Sequence, residues 1–224
     1  MAPSLSQDRN GVPKRRGDSV DAVVETIRQG ILTGRFAPGQ RLIVRDLMQE
    51  IAYSRSTLRE AFRRLEADKL VTFVPNRGFC VQRLAPDEMR DLYRIREQLE
   101  GLAARLAAER IGEGTNRRRL LDIMKSIKGG ERSSREVHVK RCQVFHAAIV
   151  ELSGNARLAE LLRQLQIPIL MLEWRSTMSA KEIEASQSEH VAIAKIILEG
   201  RAEQADTAMR RHLRRARERT LPSR

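Results

Sequence analysis

GRFAPGQRLIVRDLMQEIAYSRSTLREAFRRLEADKLVTFVPNRGFCV, residues 34–81, decides how the N-terminal part of this chain folds. Gly34 halts a preceding helix whose apolar residues Val20, Val23, Val24, Ile27, Ile31 and Leu32 recur at helical spacing. Pro38-Gly39 makes a turn. Leu47, Met48 and Ile51 mark a short second helix. Ser54 or Ser56 can cap a third, whose buried stripe is Leu58, Ala61, Phe62 and Leu65. Val71-Thr72-Phe73-Val74 and Phe79-Cys80-Val81 then pair as a hairpin around Pro75-Asn76-Arg77-Gly78, where Asn76 and Gly78 tolerate positive φ. Helix, turn, helix and hairpin together predict a winged helix-turn-helix.

A helix that reads DNA must bury one face and offer polar groups on the other. The third helix does both. Ser54, Arg55, Ser56, Thr57 and Arg59 lie at its N-terminal end, the end that usually enters the major groove. Arginine can pair with both acceptors of guanine, and serine and threonine can bond phosphates or bases. Arg45 opens the preceding helix, where a backbone phosphate would lie. Arg77 at the hairpin tip can reach a phosphate or the minor groove. Arg63, Arg64 and Lys69 are read as solvated.

Working outward, the chain has 224 residues, 41% of them hydrophobic and only 4% aromatic. Its core must be built from Leu, Ile, Val and Ala, as in a helical bundle. The net charge of +13 points to a polyanionic partner. Residues 1–84 carry 15 basic and 9 acidic residues, a net +6. Residues 85–209 carry 20 and 19, a net +1, and residues 210–224 carry 7 and 1, again +6. The nearly neutral middle is therefore unsuited to bind nucleic acid. Cys80 and Cys142 do not make a disulfide framework. No apolar run reaches membrane-spanning length, so the expectation is a cytoplasmic protein without a membrane partner.

Residues 1–18 read as a disordered arm that includes Lys14-Arg15-Arg16, residues 19–84 as the DNA-binding domain, and residues 85–224 as a second, helical domain. The fold class is mainly α: an N-terminal winged helix-turn-helix and a C-terminal antiparallel all-α helical bundle. After a linker at Ala85-Pro86-Asp87, helices are predicted over 86–111, about 115–128, 134–153, 155–177, 180–199 and 201–219, with Pro168 kinking the fourth. The arginine-rich end, 210–220, keeps a buried stripe of Met209, His212, Leu213 and Ala216, and reads as the last helix of the bundle with a solvated basic face.

Three of the four histidines fall on apolar helix faces. His146 lies with Cys142, Ile149 and Val150, His190 with Ile183, Ala194 and Ile197, and His212 with Ala205, Ala208, Met209 and Ala216. His138 has no such setting. Each of the three needs its own hydrogen-bond partner as a core residue, or together they share a metal. Cys142 stands four residues before His146, so both point the same way from one helix.

The segment 20–84 resembles the GntR family of bacterial transcription regulators. The resemblance rests on Gly34-Arg35, Pro38-Gly39, Leu42, Ser54-Arg55, Leu58-Arg59-Glu60-Ala61, Arg64-Leu65 and Asn76-Arg77-Gly78. Ala52-Tyr53 depart from the Gly-Val usual in the family's turn. By resemblance, Arg45, Arg55, Arg59 and Gly78 match positions that meet DNA. FHAAIVELSGNARL (145–158), His190, His212 and LYRIREQLE (92–100) resemble the effector domain of the FadR-type branch, an FCD-like helical domain. That resemblance implies a homodimer on a palindromic operator, a small carboxylate effector, and a divalent metal held by an Asp and three His. Here the Asp position is Cys142, beside His146, His190 and His212, so either a thiolate favours zinc or Cys142 is a small buried hydrophobe. Arg94 and Arg96 cannot both face the effector, because residues two apart on a helix point about 200° apart. The resemblance selects Arg96, against the alternative of a surface salt bridge to Glu100.

The reading is thus a ligand-responsive transcription regulator, a repressor by the commoner habit of the family. One rival is a metalloenzyme with zinc on Cys142, His146, His190 and His212. Four protein ligands would leave no open position, and no general base is placed. The other rival is an architectural DNA-binding protein without an effector, for which a long neutral bundle has no use.

Overall fold

The computed structural model describes residues 16–51, 53–128, 135–165 and 179–221. Pro168 and most of the expected N-terminal arm lie outside them. Nine helices and one two-stranded sheet occur among the described residues. The chain divides into two compact units, residues 1–82 and 83–224.

In the first unit, α1 (Arg16–Leu32), α2 (Val44–Ile51) and α3 (Arg55–Ala67) precede β1 (Val71–Val74) and β2 (Gly78–Val81). Helix α1 begins inside the stretch read as an arm. Val20, Val23, Ile27 and Ile31 of α1 are buried with Leu58, Ala61, Phe62 and Leu65 of α3, one stripe against the other. Arg28 pairs with Asp68 at 2.6 Å, and Arg64 with Asp21 at 2.5 Å. Arg64 is therefore engaged in a surface ion pair rather than solvated alone. The antiparallel register sets Val71 opposite Val81 and Val74 opposite Gly78. Asn76 (φ 63°) and Gly78 (φ 81°) carry the turn in the left-handed region, which asparagine and glycine enter at least cost. Sequence reading missed a third segment on this wing: Leu42 N–H donates to Phe79 at 2.8 Å, and Val81 N–H donates to Gln40 at 2.9 Å. Phe79 in turn stacks on Phe62 at 4.7 Å, fixing the wing to α3.

The second unit is helical: α4 (Pro86–Glu109), α5 (Asn116–Lys128), α6 (Arg135–Leu152), α7 (Ala156–Gln164), α8 (Ala180–Leu198) and α9 (Ala202–Thr220). Its starts follow from local chemistry. Pro86 opens α4, Asn155 Oδ1 accepts from Leu158 N–H at 3.0 Å, and Ser179 and Glu182 cap each other at the head of α8. Helix α7 closes at Gln164, and residues 166–177 of the helix expected over 155–177 lie outside the described residues. Helix α4 presents small residues, Gly101, Ala103, Ala104, Ala107 and Ala108, and these admit α9 closely. A Cβ on Gly101 would stand 2.2 Å from Asp206 Oδ1. The core around them is Leu120, Phe145, Ile149, Ile193, Ile197, Met209 and Leu213, mostly aliphatic as the low aromatic content leads one to expect, with Phe145 its aromatic member.

Candidate metal centre and DNA-reading face

The three histidines expected to converge do so. The ligand atoms of His146 on α6, His190 on α8 and His212 on α9 all lie within 4.8 Å of one another, and all three residues are buried. His190 Nε2 and His212 Nε2 are 3.1 Å apart.

Two carboxylates, buried Glu100 and half-buried Glu189, orient this group, and sequence reading missed both in this role. His146 Nδ1 lies 2.5 Å from Glu100 Oε2, and His212 Nδ1 lies 2.7 Å from Glu189 Oε2. Burial alone would raise the Glu100 pKa, but the Arg96 charge and His146 overcome it and hold Glu100 well below the usual carboxylate range. Glu189 behaves likewise: burial opposes ionisation, and the His212 hydrogen bond, with Arg219 and Arg215, brings its pKa to about 2. An ionised carboxylate only accepts, so Nδ1 of each ring carries a proton towards its carboxylate and Nε2 is the atom left to face the other histidines. This is the carboxylate–histidine arrangement that prepares imidazole as a metal ligand. His190 Nε2 then donates to His212 Nε2, and would move its proton to Nδ1 on binding an ion. Burial and the neighbouring histidines push His190 well below the ordinary pKa, and burial lowers His212 to about 4. Both are neutral at neutral pH, as metal ligands must be. A signal was present for Glu100, which sits on the apolar face of α4 among Tyr93, Ala103, Ala104 and Ala107.

Cys142 and Arg96 lie beside this group. Cys142 is fully buried, and burial pushes its thiol up to about 12. Its sulfur is 3.2 Å from His138 Nε2 and falls outside the three-histidine group. His138, read from the sequence as having no apolar setting, is fully buried. Burial, His212, Arg141 and Arg219 lower its pKa to about 4. The stripe is simple in retrospect, since His138, Cys142 and His146 recur every four residues on α6. Arg96 is 1% exposed, and its Nε donates to Glu100 Oε1 at 2.7 Å. The salt bridge weighed as a surface alternative therefore exists, but it is buried and leads to His146. Arg94 is exposed and pairs with Asp91.

On the first unit, Ser54 Oγ accepts from Thr57 N–H at 3.1 Å and lies 2.9 Å from Ser56 Oγ and 2.7 Å from Thr57 Oγ1. Ser54, rather than Ser56, is the cap of α3. Its ring of hydroxyls sits at the positive end of that helix. Arg45, Arg55, Ser56, Arg59 and Arg77 are exposed, Thr57 and Gly78 half-buried. Arg45 makes a weak contact with its neighbour Asp46 at 3.6 Å.

Residues 19–81 match the bacterial regulatory proteins of the gntR family, and residues 91–215 match the FCD domain. The Nta operon transcriptional regulator of Aminobacter aminovorans is 27% identical over 80% of this chain and 84% of its own. The HTH-type transcriptional repressor GlaR of Escherichia coli K12 is 26% identical over 84% of this chain and 89% of its own. A solved structure from Rhodococcus sp. RHA1, described as a GntR transcriptional regulator, superposes with a TM-score of 0.77 at 24% identity. It covers 92% of this chain and 98% of that one. At that identity the superposition speaks for the fold alone.

Proposed function

That the chain belongs to the GntR family of bacterial regulatory proteins, with an FCD domain as its second half, is the premise from which we propose the finer reading. The chain is a transcription regulator and not an enzyme. In our reading it is a cytoplasmic repressor that works as a homodimer. Its winged helix binds a palindromic operator in double-stranded DNA through Ser54, Arg55, Ser56, Thr57 and Arg59, with Arg45, Arg77 and Gly78 along the backbone. Two-fold symmetry of the protein would then match the two half-sites.

The helical unit is the input. We assign a divalent metal to His146, His190 and His212 and a small organic acid to Arg96. The observation that carries this is the pair of carboxylates, buried Glu100 and half-buried Glu189, that hold His146 Nδ1 and His212 Nδ1 while the ligand atoms of the three histidines converge within 4.8 Å. A core that merely tolerated histidines would not need an ionised partner on each of two rings, one of them fully buried. Cys142, one helical turn before His146, is the candidate fourth donor, reached by releasing His138. Three imidazoles and a thiolate suit zinc best. When bound, the ion would offer positive charge to the acid, while Arg96 orients the acid through its two remaining N–H edges. The test is metal analysis of protein purified without chelator or nickel resin. About one ion per chain is expected, with a melting temperature lowered by EDTA. No metal, with melting indifferent to EDTA, would overturn the assignment.

A further inference from the structure

Five buried side-chain nitrogen or oxygen atoms among the described residues have no hydrogen-bond partner: Arg96 Nη1 and Nη2, Arg110 Nε, Ser186 Oγ and Arg219 Nε. A buried donor left unmade costs of the order of 1–3 kcal/mol, and more when charged. Four of these five atoms belong to three side chains beside the histidine group. Arg96 stands one turn before Glu100 on α4, and Ser186 one turn before His190 on α8. Arg219 on α9 pairs with Glu189, the partner of His212, at 3.3 Å.

All three side chains act on the same buried residue, Cys142. The Arg96 guanidinium lies over the Tyr93 ring at 5.6 Å, and the Tyr93 hydroxyl is 3.2 Å from the hydroxyl of Thr220, the residue after Arg219. Ser186 lies beside Cys142, where it favours the thiolate, without completing a hydrogen bond of its own. The positive charges of Arg96 and Arg219 both act on that same thiol. Glu100 already balances Arg96, and Glu189 balances Arg219. A divalent ion on the three histidines would therefore add positive charge that these two pairs do not balance.

We propose that Arg96, Ser186 and Arg219 form a two-ended anion site, and that the acid sensed by this chain carries two carboxylates. One end takes the parallel Nη1 and Nη2 donors of Arg96, a geometry that matches a single carboxylate. The other end takes Arg219 Nε–H and the Ser186 hydroxyl. The inference rests on the reading that the helical unit binds a small organic acid, and adds the second end and the charge of the ligand.

The test uses the full-length, metal-loaded protein and acids matched in chain length: malonate with propionate, succinate with butyrate, glutarate with valerate. Binding is read by calorimetry. At least one diacid is expected to bind about tenfold or more tightly than its matched monoacid, since a second charge-assisted contact is made. Arg219→Lys keeps the charge facing Glu189 but loses the Nε–H donor, and Ser186→Ala loses the hydroxyl. Each is expected to bring the diacid-to-monoacid ratio towards one, while Arg94→Ala, on the exposed face of α4, leaves the ratio unchanged. Monoacids that bind as tightly as diacids, or a ratio unmoved by Arg219→Lys and Ser186→Ala in variants that melt like the parent, would overturn the two-ended site alone. Failure of every mono- and diacid to bind would overturn the acid-sensing reading and the inference together.

Discussion

At the scale of single residues, Glu100 does the most. One oxygen holds Arg96 and the other holds His146, so the acid anchor and the first metal ligand share one carboxylate. Glu100→Gln keeps the shape and removes the charge. Outer partners of metal-bound histidines typically contribute 10–100-fold to affinity, so metal binding is expected to weaken by about that factor in a competition titration. Unchanged affinity would remove Glu100 from the site. The histidines also set a dependence on acid. The folded-state pKa values of His138 and His212 lie at about 4, below the ordinary 6.5. The unfolded chain therefore binds more protons between those values, and stability is lost as pH falls from about 6.5 towards 4. Chelated, metal-free protein should melt lower at pH 5 than at pH 7.5. Equal melting at both would show that these rings are not buried neutral groups.

At the scale of elements, the helices were legible where an apolar period met a cap, as at Asn155, Ser179 and Pro86. The hairpin was legible because Asn76 and Gly78 offer the positive φ that its turn demands. The strand-like segment at Gln40–Leu42 was not, because its pairing with β2 is long-range and leaves no local period. The histidine group was legible from apolar faces alone; of its carboxylates only Glu100, within the apolar stripe of α4, carried a signal, and half-buried Glu189 did not. A glutamate on a helix reads as solvated until the helix packed against it is known. Only the fold brings α4 under α6 and α9 over α8. Helix α3 carries the element-scale prediction. Ser54 starts it in a fixed place, and Arg59 stands exposed one turn further on. Arg59→Ala is expected to weaken binding of a selected palindromic duplex by about 1–3 kcal/mol and to relax the sequence preference at one position of each half-site. Intact affinity and preference would show that another face reads the DNA.

At the scale of the whole molecule, charge is distributed to suit two tasks. The first unit carries an excess of exposed arginines on α3 and the wing. In the helical unit much of the C-terminal arginine run is spent inward: Arg217 pairs with buried Glu97, and Arg215 and Arg219 with Glu189. The basic end of the sequence is thus tied to the histidine centre and is not a loose nucleic-acid tail. If the helical unit is the input and the winged helix the output, ligand and DNA must alter each other's affinity by the same factor. The most direct measurement is the affinity of the full chain for a selected palindromic duplex, by fluorescence anisotropy at fixed salt. It would compare metal-loaded protein, chelated protein, and metal-loaded protein saturated with the diacid that binds best. The account expects the diacid to change the dissociation constant by about 5–150-fold, the usual range of such coupling, and the change to vanish in the chelated protein. The same dissociation constant in all three states would contradict it.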